Sequence, residues 1–126
     1  MMYKRLFLAS LGCLFCFLIT LTSCKKSNEC TGIIYTYVED AKTGIKTPIG
    51  ACPLTIGEES FAPEIYRKVL TDASGYYEGV WNREVYLLVE AKKPLSDEQY
   101  LFGIGYINLV PGNTIELPIP MEVRNY

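Results

Sequence analysis

The chain has 126 residues, 49% of them hydrophobic and 21% charged, with a formal net charge of −2. This length holds one ordinary domain and excludes a large multidomain enzyme. Histidine is absent, which removes His-based triads, His general acid–base chemistry and the commonest metal ligand.

Lys4 and Arg5 open the chain, and Leu6 to Cys24 follows as 19 residues without a charge. An apolar run of that length fits either a membrane-spanning helix or a secretory signal. Its end favours the signal. Leu21-Thr22-Ser23-Cys24 resembles the lipobox of bacterial lipoproteins, in which small residues precede a cysteine at the cleavage site. The resemblance implies removal of residues 1–23, a diacylglycerol on the Cys24 thiol and an acylated (palmitate-type) new amino terminus. Several acyl chains, at ~0.8 kcal/mol per buried methylene, hold far more firmly than one. An uncleaved helix flanked by Lys4-Arg5 and Lys25-Lys26 is the alternative, and it has no need of the Leu-Thr-Ser-Cys order. Cys13 and Cys16 lie inside the apolar run, and the lipoprotein resemblance implies that they are removed with it. Residues 24–31, the lipidated cysteine followed by Lys25, Lys26, Ser27, Asn28 and Glu29, read as a polar tether. No aspartate follows Cys24, so the lipoprotein resemblance implies the outer membrane, with the face left open.

Without the first 24 residues, 10 basic and 14 acidic side chains remain, a balance of −4. That balance gives no electrostatic footprint for nucleic acid. The remainder is globular in composition and forms a single domain over residues 32–126.

The domain reads as strands and turns. Runs rich in Val, Ile, Thr and Tyr are broken by Gly, Pro, Asn and Asp, predicting strands at 33–39, 51–56, 68–71, 76–81, 84–92, 100–109 and 114–123. The two-residue period places Cys52, Leu54 and Ile56 on one face. It likewise groups Val85, Leu87, Val89 and Ala91, then Tyr100, Phe102, Ile104 and Tyr106, then Ile115 through Val123 at odd positions. About seven strands with turns between them predict an all-β, antiparallel β-sandwich, Ig-like or transthyretin-like. Residues 57–67 form the longest connection, with room for one helical turn at 63–66. Pro118 and Pro120 are two apart, so both missing N–H groups lie on one side of the last strand, which is therefore an edge.

The order Gly32, Asp40, Thr43-Gly44, Pro48-Ile49, Ala51, Thr71-Asp72, Gly75, Tyr76-Tyr77 resembles the carboxypeptidase regulatory-like domain, a transthyretin-like sandwich of many bacterial surface proteins. The match covers roughly residues 32 to 91. Its motifs are turn motifs with a local reason: Asp caps backbone N–H groups and Gly takes a positive φ. Pro53 departs from the pattern, standing where that family has a β-branched core residue. In metallocarboxypeptidases this module is not itself catalytic. The resemblance therefore implies a display or interaction module, without zinc ligands or another cofactor.

Four groups of residues carry the candidate chemistry. Cys24 is the lipidation site. Cys30 and Cys52, the two thiols left after processing, form an even pair in an oxidising envelope and are expected to bridge. Closing that loop is worth roughly 3 kcal/mol in the chain-entropy model. The carboxylate pairs Glu39-Asp40, Glu58-Glu59 and Asp97-Glu98 read as solvated turn charge, because strand neighbours point to opposite faces. Tyr35 with Tyr37, and Tyr77 with Trp81, share faces of their strands and form a candidate aromatic binding surface. The expected role is a non-catalytic structural or protein-interaction module. The alternative is a glycan-binding accessory lipoprotein using those aromatics, and an enzyme has no nucleophile–base pair to rest on.

Overall fold

The computed structural model describes residues 28–126; the expected signal peptide, residues 1–23, and Cys24 lie outside the described residues. Nine strands and no helix make up the described chain: β1 Cys30–Glu39, β2 Lys46–Pro48, β3 Pro53–Ile56, β4 Arg67–Leu70, β5 Tyr76–Trp81, β6 Val85–Pro94, β7 Gln99–Leu109, β8 Thr114–Pro120 and β9 Glu122–Asn125. They form two facing sheets, one of four strands and one of five. The molecule is an all-β sandwich.

In the four-stranded sheet β1 is central. Residues 30–35 pair with β5 and 37–39 with β2, both antiparallel, while 31–37 pair with β8. The β1–β8 pairing is parallel, a correction to the wholly antiparallel expectation. Both strands start at the end of the sandwich where β7 finishes, so the chain crosses between sheets instead of turning back. The second sheet runs β4-β3-β6-β7-β9, antiparallel throughout.

Two departures from the sequence reading bear on the architecture. The predicted last strand is two: β8 belongs to the first sheet, and β9 pairs with β7 in the second. Met121, 4% exposed, is the pivot between them. The domain also starts at Cys30 rather than residue 32, since Cys30 pairs with Trp81 and is fully buried. As its two prolines require, β8 is an edge strand that pairs only with β1.

The core fills the gap between sheets with Ile34, Trp81 and Ile119 from one side and Leu54, Ile56, Leu87, Val89, Ala91, Leu101, Ile107 and Leu109 from the other. At roughly 25 cal/mol per Å² of apolar surface removed from water, this layer is the main stabilising term. Room for the Trp81 indole comes from glycine: a Cβ on Gly79 would lie 2.9 Å from the ring and 2.7 Å from an Arg67 guanidinium nitrogen.

The sandwich has two chemically different ends. Chain entry, residues 57–66, 82–84 and 110–113 share one end, fixed by bonds from Gly112 N–H to the Glu29 carbonyl (2.8 Å) and from Thr31 N–H to the Asn113 carbonyl (3.1 Å). The turns at 40–45, 49–52, 71–75 and 95–98 share the other. The 57–66 connection holds turns rather than a helix, with Ala62 and Tyr66 N–H groups each bonding a carbonyl four residues back, on Glu58 and Ala62.

Candidate functional site

The turn residues singled out in the sequence converge at the far end. Asp40 Oδ1 accepts the Lys42 N–H at 2.8 Å, and Gly44 sits at φ +72°. Asp72 Oδ1 accepts from Ser74 and Tyr76 N–H at 2.9 and 3.0 Å, and Gly75 sits at φ +84°. Behind these turns lie two buried hydroxyls. Thr36 Oγ1 donates to the Ile49 carbonyl at 2.8 Å, and Thr71 Oγ1 accepts the Cys52 N–H at 2.8 Å. Lys93 Nζ adds a bond to the Gly50 carbonyl at 2.7 Å. Every buried side-chain N or O among the described residues has a partner, as buried polar groups require. The motif residues thus satisfy backbone groups where β1, the 49–52 link and the 71–75 turn meet.

The aromatic surface is assembled differently from the sequence expectation. Tyr35 and Tyr37 share the outer face of the four-stranded sheet, with ring centroids 5.3 Å apart, and Tyr76 of β5 stacks on Tyr35 at 4.6 Å. Tyr76 is 46% exposed. Tyr37 is only 7% exposed, flanked in the sheet by Pro48 and Pro120 and capped by the Lys46 ammonium 5.0 Å from its ring. Tyr77 and Trp81 do share a face, but it is the inner one. Trp81 is 3% exposed, donates its indole N–H to the Ile65 carbonyl at 3.3 Å, and carries the Arg67 guanidinium 4.0 Å above its ring. Tyr77 and Trp81 are therefore removed from the candidate binding surface, and Tyr76 takes their place. The missed signal is Glu78, whose charge on the opposite face of β5 marks that face as the wet one.

Arg67 was not legible as a structural residue. From β4 it reaches across the open side of the sandwich to β5, donating to the Val80 carbonyl and, at 3.4 Å, to the Tyr77 hydroxyl. A cation over an indole gains from the ring quadrupole as well as from contact.

The disulfide expectation is overturned: Cys30 and Cys52 are both free and both buried. Cys30 donates its S–H to the Arg83 carbonyl at 3.3 Å at the chain-entry end. Cys52 Sγ lies 3.8 Å from Met121 Sδ, and Met121 N–H bonds the Tyr37 carbonyl. Tyr37 is seven residues along β1 from Cys30. At about 3.3 Å per residue that is ~23 Å, far past the ~7 Å between Cα atoms that a bridge allows. An even cysteine count states a compartment preference and no geometry.

Burial pushes both thiols above their ordinary range, helped at Cys30 by the Glu84 carboxylate and opposed at Cys52 by Lys93 and by a hydrogen bond with Thr36. Native protein is therefore expected to resist alkylation at pH 8, and denatured protein to take up two labels at these positions with or without reductant. A mass difference on reduction contradicts this. The sign for stability follows from the raised folded-state pKa values. Above the ordinary value of 9.0 the unfolded chain releases thiol protons that the folded chain keeps, so these two groups lower stability as pH rises past that point.

The carboxylate pairs are exposed and dispersed, with Glu58-Glu59 at the chain-entry end and Glu39-Asp40 and Asp97-Glu98 at the other. Among the described residues no three of His, Cys, Asp and Glu gather as metal ligands. A depression of about 600 Å³ lies beside Glu58, Glu59, Ser60, Tyr66 and Glu90.

The chain is a two-sheet β-sandwich with tyrosines on both outer faces, Tyr35 and Tyr76 on one and Tyr86 and Tyr106 on the other. Comparisons with protein-family models, with curated proteins and with solved structures gave no match.

Proposed function

We propose that this chain is a bacterial lipoprotein held at the outer membrane by Cys24, with a sandwich of the carboxypeptidase regulatory-like type. Its role is non-catalytic: a structural or protein-interaction module of the cell envelope. The observation that carries this reading is the junction of Leu21-Thr22-Ser23-Cys24 to a folded strand that starts at Cys30, six residues on. An anchor so close to a folded domain displays that domain at the membrane. The Asp40 and Asp72 turn geometry and the positive φ of Gly44 and Gly75 support the family reading, because those are its turn motifs.

For a protein partner, the open surface is the Tyr35–Tyr76 stack, since tyrosine combines large contact area with a polar tip. A second reading, glycan binding, draws on the same exposed tyrosines and on Tyr86 and Tyr106, which are 65% and 56% exposed. Crosslinking the tagged protein in its own cell envelope separates the two, with the Cys24→Ala form as control. The interaction reading expects a reproducible protein partner that is lost in the control. Recovery of saccharide alone, competed by free glycan, overturns it in favour of the second reading.

A further inference from the structure

Phe61 is the anomaly of the surface: 88% exposed, in a domain whose only other phenylalanine past Cys24 is half-buried. It stands in the 57–66 connection, at the end where the chain enters. The connection is tied to the core by the Trp81 bond to the Ile65 carbonyl, and Glu64 and Arg83 form an exposed ion pair (3.6 Å) beside it. Beside it lies a mainly apolar groove of about 400 Å³, lined by Phe61, Ala62, Ile65, Leu88, Tyr86 and Tyr106, with Glu58 and Arg83 also in its wall. The two tyrosine rings stack at 5.4 Å with planes 4° apart.

Chain length says what covers this end. The Glu29 carbonyl already bonds Gly112, so only Lys25 to Asn28 separates Cys24 from the folded domain. Five Cα steps, fully extended, span at most ~17 Å. A bilayer that holds the acyl chains of Cys24 must then lie across the chain-entry end. Aromatic side chains with one apolar and one wet side are the residues that settle at such a boundary.

We infer that the 57–66 connection and the Tyr86–Tyr106 pair form a membrane-facing surface, with Phe61 entering the lipid interface. This rests on the Cys24 anchor proposed above. The occupant is the bilayer that holds the Cys24 acyl chains. Glu29, Glu58, Glu59, Glu64 and Glu84 stand at this end against Arg67 and Arg83, with Lys25 and Lys26 beside the anchor, so the charges nearly balance and apolar contact carries the binding. Contact is apolar insertion with the carboxylates left at headgroup level.

The test uses the full lipidated protein in phosphatidylcholine vesicles with brominated acyl chains. Phe61→Trp reports on this end and Ile45→Trp, at a site 65% exposed in the 40–45 turn, on the other. Neither site is in the core, and buried Trp81 supplies a constant background. The added emission of Phe61→Trp is expected to be largely quenched and that of Ile45→Trp untouched. If intact mass shows lipid on Cys24 yet both positions behave alike, the membrane-facing surface is wrong and the anchor stands. If no lipid mass is found, the anchor fails and this inference falls with it.

Discussion

Replacing Arg67 by alanine is expected to lower stability by about 2–3 kcal/mol, from a lost cation–π contact and lost charge-assisted hydrogen bonds. For a domain of this size that corresponds to a melting temperature on the order of 10–15 °C lower. The effect is large because Arg67 performs three tasks that no single neutral side chain reproduces. It covers the Trp81 ring at 4.0 Å, bonds the Tyr77 hydroxyl, and satisfies the Val80 carbonyl on the outer side of β5. Removal opens the unsealed side of the sandwich between β4 and β5 and lets water reach the indole. Lysine keeps the charge but not the planar fork, so Arg67→Lys is expected to recover only a minor part. Thermal denaturation of the three proteins measures this, and a red-shifted Trp81 emission in Arg67→Ala reports the same opening. An alanine variant as stable as the parent shows that the latch contributes nothing.

The second large effect is expected at Gly75. Its φ of +84° is reached freely only by glycine. A Cβ there would also stand 2.7 Å from the Thr36 carbonyl oxygen and 3.3 Å from the Ile49 backbone. Neither neighbour can yield easily, because Thr36 N–H bonds the Gly75 carbonyl and Ile49 N–H bonds the Thr36 carbonyl. Gly75→Ala is expected to cost about 3 kcal/mol, combining backbone strain with displacement of that network. Gly112 supplies the comparison. It has φ +76° but nothing within 4 Å of a Cβ, so Gly112→Ala carries strain alone, about 1 kcal/mol. Urea denaturation of both variants separates the terms. Equal losses at the two sites would show that the collision at Gly75 relaxes away.

The sequence pattern is legible wherever a strand has one wet and one dry face. In β6 the two-residue period groups Val85, Leu87, Val89 and Ala91, and this is the face packed on the core. In β7 it groups Tyr100 with Tyr106 correctly, but on the outer face, because Leu101, Ile107 and Leu109 provide the buried set. Both faces of β7 are apolar, so alternation alone does not choose between them. The same ambiguity concealed Trp81, where an aromatic pair suited either face and only Glu78 argued for the inner one. At Met121 the alternation of Ile115 through Val123 runs on unbroken while the chain leaves one sheet and joins the other. Val123 is consequently 55% exposed. Three exposed residues made β2 invisible. The Cys30–Cys52 separation and the reach of Arg67 to Trp81 depend on which strands face each other across the core, which no local pattern carries.

Intact mass spectrometry of the protein extracted from its own membranes tests the anchored-sandwich reading most directly. A chain beginning at Cys24 is expected, heavier than its amino-acid composition by a diacylglycerol and an acyl group, with a Cys24→Ala form that is neither cleaved there nor lipidated. A membrane-extracted chain that keeps Met1 to Ser23 with an unmodified Cys24 would contradict it.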